Sequence, residues 1–270
     1  MPSTTQTRTH DLRLIALPAE HGGWGFLFEP ILLGLMVAPT FAGLCLSIAA
    51  IAGFLIHQPV KYWLLARRRG VRGQRMALAV KVALLYGTVA LAGFAATLWM
   101  APWVFLAPLA LALPFVAIYL FYDLTGPART IQAELAAPVA LGSVAASIAL
   151  IDGWGWTAAL ALWVALAARG LPSVLYVRAR IRLDKGRDVG LAVPIGAHVL
   201  ALLVIAWLAM LGWLPFLAIL PYLILLARAG LFLAPNRPRW PIKKIGFLEL
   251  GLGLMTVGFI AVGYWQFAGG

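Results

Sequence analysis

Two ionisable residues, Glu29 and Arg169, lie inside long apolar stretches of this sequence. Glu29 stands between FLF and PILLG, and Arg169 stands between ALAA and GLPS. Apolar runs of this kind predict membrane helices, in which we expect each charge to lie about eight residues, or about 12 Å, from the nearer helix end. Because an unpaired charge at that depth is unfavourable in lipid, both residues indicate a polar chamber inside the protein.

Helical spacing gives this chamber polar faces. Gly22 and Gly25 precede Glu29 by seven and four residues, so the carboxylate lies on a face of small residues that a neighbouring helix or a ligand can approach. A second face runs from Arg169 towards a charged loop and contains Ser173, Tyr176 and Arg180. A third face carries His57 and Lys61, four residues apart.

These residues fit two kinds of structure. In one, they form a buried ion-pair network that clamps helices together, with Glu29 paired to Arg169 or Lys61. In the other, they form an anion site, because the planar guanidinium of arginine suits phosphate. The candidate anion-binding residues are Lys61, Arg67, Arg129, Arg169, Arg178, Arg180, Arg182 and Lys185. The candidate pocket residues are Glu20, His57, Ser173 and Tyr176.

No metal site or cofactor is expected. Glu20, His21 and Glu29 do not share a helix face, and the chain has no acidic cluster that would hold Mg²⁺. The single cysteine, Cys45, lies in an apolar run, so neither a disulfide nor a cysteine metal site is expected.

The composition identifies the elements that position these residues. Hydrophobic residues make up 63% of the 270 and charged residues only 11%, against about a quarter charged in soluble domains. The chain is therefore expected to be an all-α integral membrane protein with nine transmembrane helices. The predicted spans are about 22–39, 41–63, 77–99, 101–121, 131–151, 155–177, 189–211, 213–233 and 245–267.

The distribution of basic residues predicts an orientation. The 21 lysines and arginines fall in the N-terminal segment, in the loops after helices 2, 4, 6 and 8, or near the helix ends that meet those loops. The positive-inside rule then places the segment 1–21 and these loops in the cytoplasm and the C-terminus outside. Orientation and contact with anionic lipids explain the net charge of +12 without nucleic acid.

Three short similarities suggest an internal repeat within one transmembrane domain, residues 22–270. PILLG (Pro30 to Gly34) matches PVALG (Pro138 to Gly142), ALPF in helix 4 matches ILPY in helix 8, and helices 2 and 6 both end in an arginine-rich segment after a tyrosine. The prediction is two four-helix units, residues 22–121 and 131–233, followed by a ninth helix at 245–267. The units would be parallel repeats with a pocket between them.

The motif EHGGWGFLFEP, with HQPVKYW in helix 2 and the arginine-rich helix exits, resembles the YwiC-like family of bacterial membrane proteins. The nine helices in two units plus one also resemble, more distantly, the UbiA superfamily of intramembrane prenyltransferases. That superfamily holds a prenyl diphosphate through Mg²⁺ on two aspartate-rich motifs, after helices 2 and 6. Here the corresponding regions read HQPVKYWLL and YVRARIRLDKG, so basic residues replace the aspartates and the metal-dependent mechanism does not transfer.

The resemblance implies a binder of a prenyl or other lipid diphosphate, in which fixed cations neutralise the phosphate. If such a protein were a transferase, its candidate catalytic bases would be Glu29, Glu134 and His21. A transporter of a small anion is the alternative, although an outer half with no charge except Asp152 argues against a permeation route. A structural or assembly protein, in which the buried charges only clamp helices, is the third.

Overall fold

The computed structural model describes residues 15–17, 21–70, 73–125 and 130–268, without the side chains of residues 21, 22, 267 and 268. Nine long or medium-length α-helices lie in these ranges, and no strand does. They are α1 His21–Val37, α2 Phe41–Arg68, α3 Gln74–Met100, α4 Leu106–Thr125, α5 Ile131–Ile151, α6 Trp156–Asp184, α7 Ala192–Met210, α8 Ile219–Leu233 and α9 Ile242–Ala268. Short 3-10 turns, Trp103–Phe105 and Phe216–Ala218, lead into α4 and α8.

Each predicted span falls on one of these helices, so the all-helical prediction is confirmed. Eight of the described helices, with the 3-10 turns counted into α4 and α8, are long and apolar enough to cross a membrane. The remaining one, α1, has 17 residues, close to the lower limit of about 17 for a spanning helix. The protein is therefore polytopic and membrane-like.

Helix α6 differs from its predicted span. The apolar run ends near residue 177, but the helix continues to Asp184, so Arg169 lies 15 residues before its C-terminal end. At 1.5 Å per residue this is about 22 Å to the helix end, whereas the predicted span ends about 12 Å beyond Arg169. The extension is the charged segment Val177 to Asp184. Two of its arginines, Arg178 and Arg180, are paired within the protein and so continue a helix that a hydropathy criterion ends too early.

Helix α5 occupies the centre of the bundle. It packs against α1, α2, α4 and α6, and most of its side chains from Gly142 to Leu150 are buried. Glycines at the crossings let the backbones approach: a Cβ on Gly170 of α6 would lie 2.6 Å from Pro138, and one on Gly34 of α1 would lie 2.9 Å from Ile148. Small residues at crossings are typical of membrane helix packing.

Helices α1 and α4 both pack extensively on α5, and α9 packs on α1 and α8. The two predicted four-helix units therefore share an extensive interface. The two-unit repeat stays a prediction. One end of the bundle carries the C-termini of α2, α4, α6 and α8 with their basic loops, and we call it the basic end.

Candidate functional site

Glu29 and Arg169 form a buried ion pair between α1 and α6. The distance from Glu29 Oε1 to Arg169 Nη2 is 3.2 Å, and the two side chains are 4% and 3% exposed. Arg169 Nη2 also donates to the main-chain oxygen of Glu249 on α9. The Arg169 Cζ atom also lies over the ring of Phe26, 5.7 Å from the ring centre. This pair is one of the two that the ion-pair alternative named, the other being Glu29 with Lys61.

A second pair continues the first towards α8. Both η nitrogens of Arg228 contact the Glu249 carboxylate, at 3.2 and 3.3 Å, and Arg228 Nη2 also donates to Ser173 Oγ at 3.4 Å. The Arg228 guanidinium is stacked on the ring of Tyr176, with 3.7 Å from Cζ to the ring centre. Glu29, Arg169, Arg228 and Glu249 together are the four-charge cluster, which joins α1, α6, α8 and α9.

Sequence analysis missed Arg228 and gave Glu249 no site role. Arg228 lies in the apolar run ILLARAGLF, so the criterion that selected Glu29, a charge inside an apolar span, would also have selected it. Glu249 is the eighth residue of α9, near its N-terminal end, where an acidic residue is ordinarily explained by the positive end of the helix. Its place in the cluster depends on its ion pair with Arg228 of α8.

Gly253 on α9 provides the space for the Glu29–Arg169 pair. A Cβ at this position would lie 2.0 Å from Glu29 Oε1 and 2.7 Å from Arg169 Nη2. Any side chain on α9 at this level would therefore displace one of the two charged groups. The glycine lets the α9 backbone form one wall of the cluster.

The four-charge cluster has hydrogen-bonding capacity that its own members do not fill. Its contacts are ion pairs by distance, but several buried atoms have no well-directed hydrogen bond within the described part of the chain. These atoms are Glu29 Oε1, Arg169 Nε, Arg228 Nε, Arg228 Nη1 and Glu249 Oε1. Buried polar atoms are rarely left without a partner, so such a group calls for a specific explanation. Guanidinium N–H groups of this kind can donate to an anion.

A separate cluster joins α2 and α4. His57 Nε2 lies 3.0 Å from Asp123 Oδ2, and Lys61 Nζ lies 2.7 Å from Asp123 Oδ1. The His57 ring lies 5.3 Å from that of Tyr119. The side chains of His57, Lys61 and Asp123 are 20% to 30% exposed, so they are more accessible to solvent than the four-charge cluster. Lys61 pairs with Asp123, a residue the sequence analysis did not select.

The remaining predicted residues lie at the basic end. Arg178 Nη1 contacts Glu134 Oε2 at 2.5 Å and links the end of α6 to the start of α5. Arg180 is 1% exposed and donates to Asp184 Oδ2 at 3.0 Å and to the main-chain oxygens of Phe232 and Pro238. Arg180 is thus committed to holding the loop between α8 and α9 against α6.

Other predicted cations are free of such burial. Arg67, Arg182 and Lys185 are exposed, and Arg67 Cζ lies 5.2 Å from the ring centre of Trp63. Glu20 and Arg129 lie outside the described residues, as does the side chain of His21. No group of three or more potential metal-ligating side chains occurs within the described ranges.

Comparison with known proteins gives one match. No curated protein and no solved structure was found to match the chain. The likeness to the UbiA superfamily therefore stays a prediction. Residues 17–149 match a family model described as YwiC-like protein, so just under half of this chain, from the start of α1 through most of α5, is similar to the YwiC-like family.

Proposed function

We propose that this protein is a membrane protein that binds an anionic, phosphate-type ligand at Arg169 and Arg228. The observation that carries this proposal is the four-charge cluster, in which two buried guanidiniums keep N–H groups without well-directed acceptors among the described residues. Arginine donates two parallel hydrogen bonds to phosphate or carboxylate, so the same groups can bind an external anion.

Stability alone gives a weak reason for such a cluster. Removing charges from water opposes folding by about as much as their attraction favours it, and well-packed apolar residues are often as stable. Ionisable residues within membrane-spanning helices commonly mark ligand or ion pathways. Four of them in contact, contributed by four helices, are better explained by binding than by clamping.

The ligand favoured here is a prenyl or other lipid phosphate. Exposed cations at the basic end, including Arg67, Arg182 and Lys185, would raise the local concentration of anions near the helix ends. The apolar bundle around the cluster suits a hydrocarbon tail. Catalysis on such a ligand, with Glu29, Glu134 or His21 as base, is a further step of the same proposal. We place the basic end in the cytoplasm by the positive-inside rule.

Transport of a small anion is the second candidate. Arg169 lies near the middle of the 29-residue helix α6, 13 residues after its first residue and 15 before its last. A site midway through the bundle is where transporters hold a substrate between alternating access routes. The two candidates differ in whether binding requires an apolar tail.

Thermal unfolding of the detergent-purified protein tests the proposal. The ligands are inorganic diphosphate, prenyl diphosphates of several lengths and nitrate, each with and without Mg²⁺. We expect stabilisation of the wild type by about 2.7 kcal/mol when the ligand is at about 100 times Kd. Arg169→Gln and Arg228→Gln should abolish it, and Arg187→Gln, which removes an exposed loop charge, should leave it unchanged.

The pattern of responses separates the candidates. Stabilisation that needs a prenyl tail and both arginines indicates a lipid phosphate, whereas an equal response to nitrate or inorganic diphosphate indicates a small anion. Arg228→Lys keeps the charge without the planar fork and should weaken binding without unfolding the protein. If no anion shifts the unfolding of a folded wild type, anion binding is wrong and the charges only clamp helices.

A further inference from the structure

The net charge of the four-charge cluster is zero when all its members are ionised. Two arginines balance two glutamates, and the side chains of Glu29, Arg169 and Arg228 are no more than 4% exposed. Adding a singly charged anion would leave one uncompensated negative charge in an apolar region, which is strongly unfavourable. A bound anion therefore requires one compensating positive charge. A proton is the smallest cation that could enter the buried cluster and supply it.

The two carboxylates of the cluster are not equivalent as acceptors of that proton. Both oxygens of Glu249 are contacted by Arg228, at 3.2 and 3.3 Å, and its side chain is 12% exposed. Glu29 is held by one nitrogen of Arg169, at 3.2 Å, and is more deeply buried. A carboxylate that has fewer hydrogen-bond donors and less water around it loses less favourable interaction energy when it is protonated. Glu29 is thus the better proton acceptor.

The groups that face Glu29 support this assignment. Arg169 on α6 and Glu249 on α9 act on it directly, and Tyr222 on α8 lies near the same pair. The Tyr222 hydroxyl donates to the main-chain oxygen of Ala165 at 2.6 Å, so its proton is already committed. Within the described residues, α2 and α5, which also pack against α1, contribute no charged group to Glu29.

We propose that Glu29 takes up one proton when an anion binds at Arg169, so that anion and proton bind together. The proton comes from solvent and forms the O–H of the Glu29 carboxylic acid. The Arg169 guanidinium then donates to an anion oxygen and no longer pairs with an ionised Glu29, and Glu249 stays ionised beside Arg228. This inference rests on the proposed anion site and adds to it a coupled cation, the proton.

Proton uptake can be measured directly. The purified wild type, in weakly buffered detergent solution with a pH indicator, is mixed with dibutyl phosphate, inorganic diphosphate or farnesyl diphosphate, and binding is measured in parallel. Dibutyl phosphate is a phosphodiester whose single charge does not change near neutral pH. At pH values at which Glu29 is ionised in the free protein and protonated in the complex, we expect about one proton to be taken up per bound dibutyl phosphate. In the same pH range the Kd should rise about tenfold per pH unit.

Glu29→Gln supplies a neutral side chain of the same shape, so it should bind the anion with no proton uptake and with a Kd that is independent of pH. Asp188→Asn, which removes an exposed acid, is the matched control and should retain the wild-type uptake. Binding without uptake, or uptake that persists in a folded Glu29→Gln variant, overturns the coupling and leaves the anion site standing. If none of the three anions binds, the anion site and the coupling both fail.

Discussion

At the scale of single residues, the four-charge cluster depends on a glycine. A methyl group on Gly253 would overlap Glu29 Oε1 and Arg169 Nη2. We expect Gly253→Ala to destabilise the protein by about 1–3 kcal/mol, because one charged group must move into a packed region. Gly251→Ala is the control, since its added Cβ would meet nothing within 4 Å. Denaturant unfolding of both variants checks this, and equal stability of the two would contradict the geometry.

The pairing of Arg228 with Glu249 makes a second prediction. Arg228→Met or Glu249→Met alone should cost about 3–5 kcal/mol, because each leaves an uncompensated buried charge. The double variant should lose less than the sum of the two. The half-buried pair Glu134–Arg178 is the comparison, and its coupling should be about 1 kcal/mol or less. Additive losses at Arg228 and Glu249 would mean that the two do not interact.

Sequence reasoning at this scale identified charged positions better than partners. Glu29 and Arg169 were selected because charge inside an apolar run is unfavourable without a partner, and that argument needs no fold. The choice between Arg169 and Lys61 as the partner of Glu29 depends on which helix faces α1. Lys61 instead meets Asp123, near the end of α4, where a carboxylate gave no signal of its own.

At the scale of helices, close backbone approach at the α5–α6 crossing makes a third prediction. Gly170→Ala would place a methyl group 2.6 Å from Pro138. We expect a loss of about 1–3 kcal/mol from overpacking. Gly230→Ala on α8, with open space around its Cβ, should instead stabilise by about 0.5–1 kcal/mol through helix propensity. Thermal unfolding checks this, because Gly170→Ala should lower the unfolding temperature and Gly230→Ala should raise it. A stabilising Gly170→Ala would show that α5 and α6 are not tightly packed.

Helix positions were largely predictable, whereas some helix ends were not. The span predicted at 131–151 coincides with α5, whose N-terminus is fixed by Thr130, since its side chain accepts from Ala133 N. Helix α6 extends past its apolar run because Arg178 and Arg180 find partners in the folded protein. Glu134 is identified as a partner only once α5 and α6 are packed, whereas Arg180 and Asp184 lie four residues apart in one helix, a spacing that the sequence itself provides.

At the scale of the whole molecule, the prediction to test is orientation. The basic loop that contains Arg187 and the first turn of α6 at Thr157 lie at opposite ends of the bundle. In intact bacteria, Thr157→Cys should react with a membrane-impermeant maleimide, and Arg187→Cys should react only after lysis, because the basic end is expected inside. Cys45 is buried, so the wild type supplies the unlabelled background. The reverse pattern would invert the topology.

The arrangement of the units was less accessible to sequence reasoning than the helix count. The similar segments PILLG and PVALG lie in helices α1 and α5, and these two helices pack against one another in the structure. Contact between them does not establish that two units are related by an axis. A symmetry axis between the units depends on the positions of all their helices together, and short sequence motifs carry little information about those positions.

The loop between α8 and α9 is held by Arg180 in a manner that affects which sequences it can tolerate. Arg180 donates to the main-chain oxygens of Phe232 and Pro238, which every amino acid possesses. Two loop side chains also make contacts: Arg237 pairs with Asp184, and Trp240 packs against Phe232 and Lys244. The loop should therefore tolerate many substitutions outside Arg237 and Trp240, provided that the chain length is kept. Arg180 itself should accept no replacement, because no other side chain offers donors in the same planar arrangement.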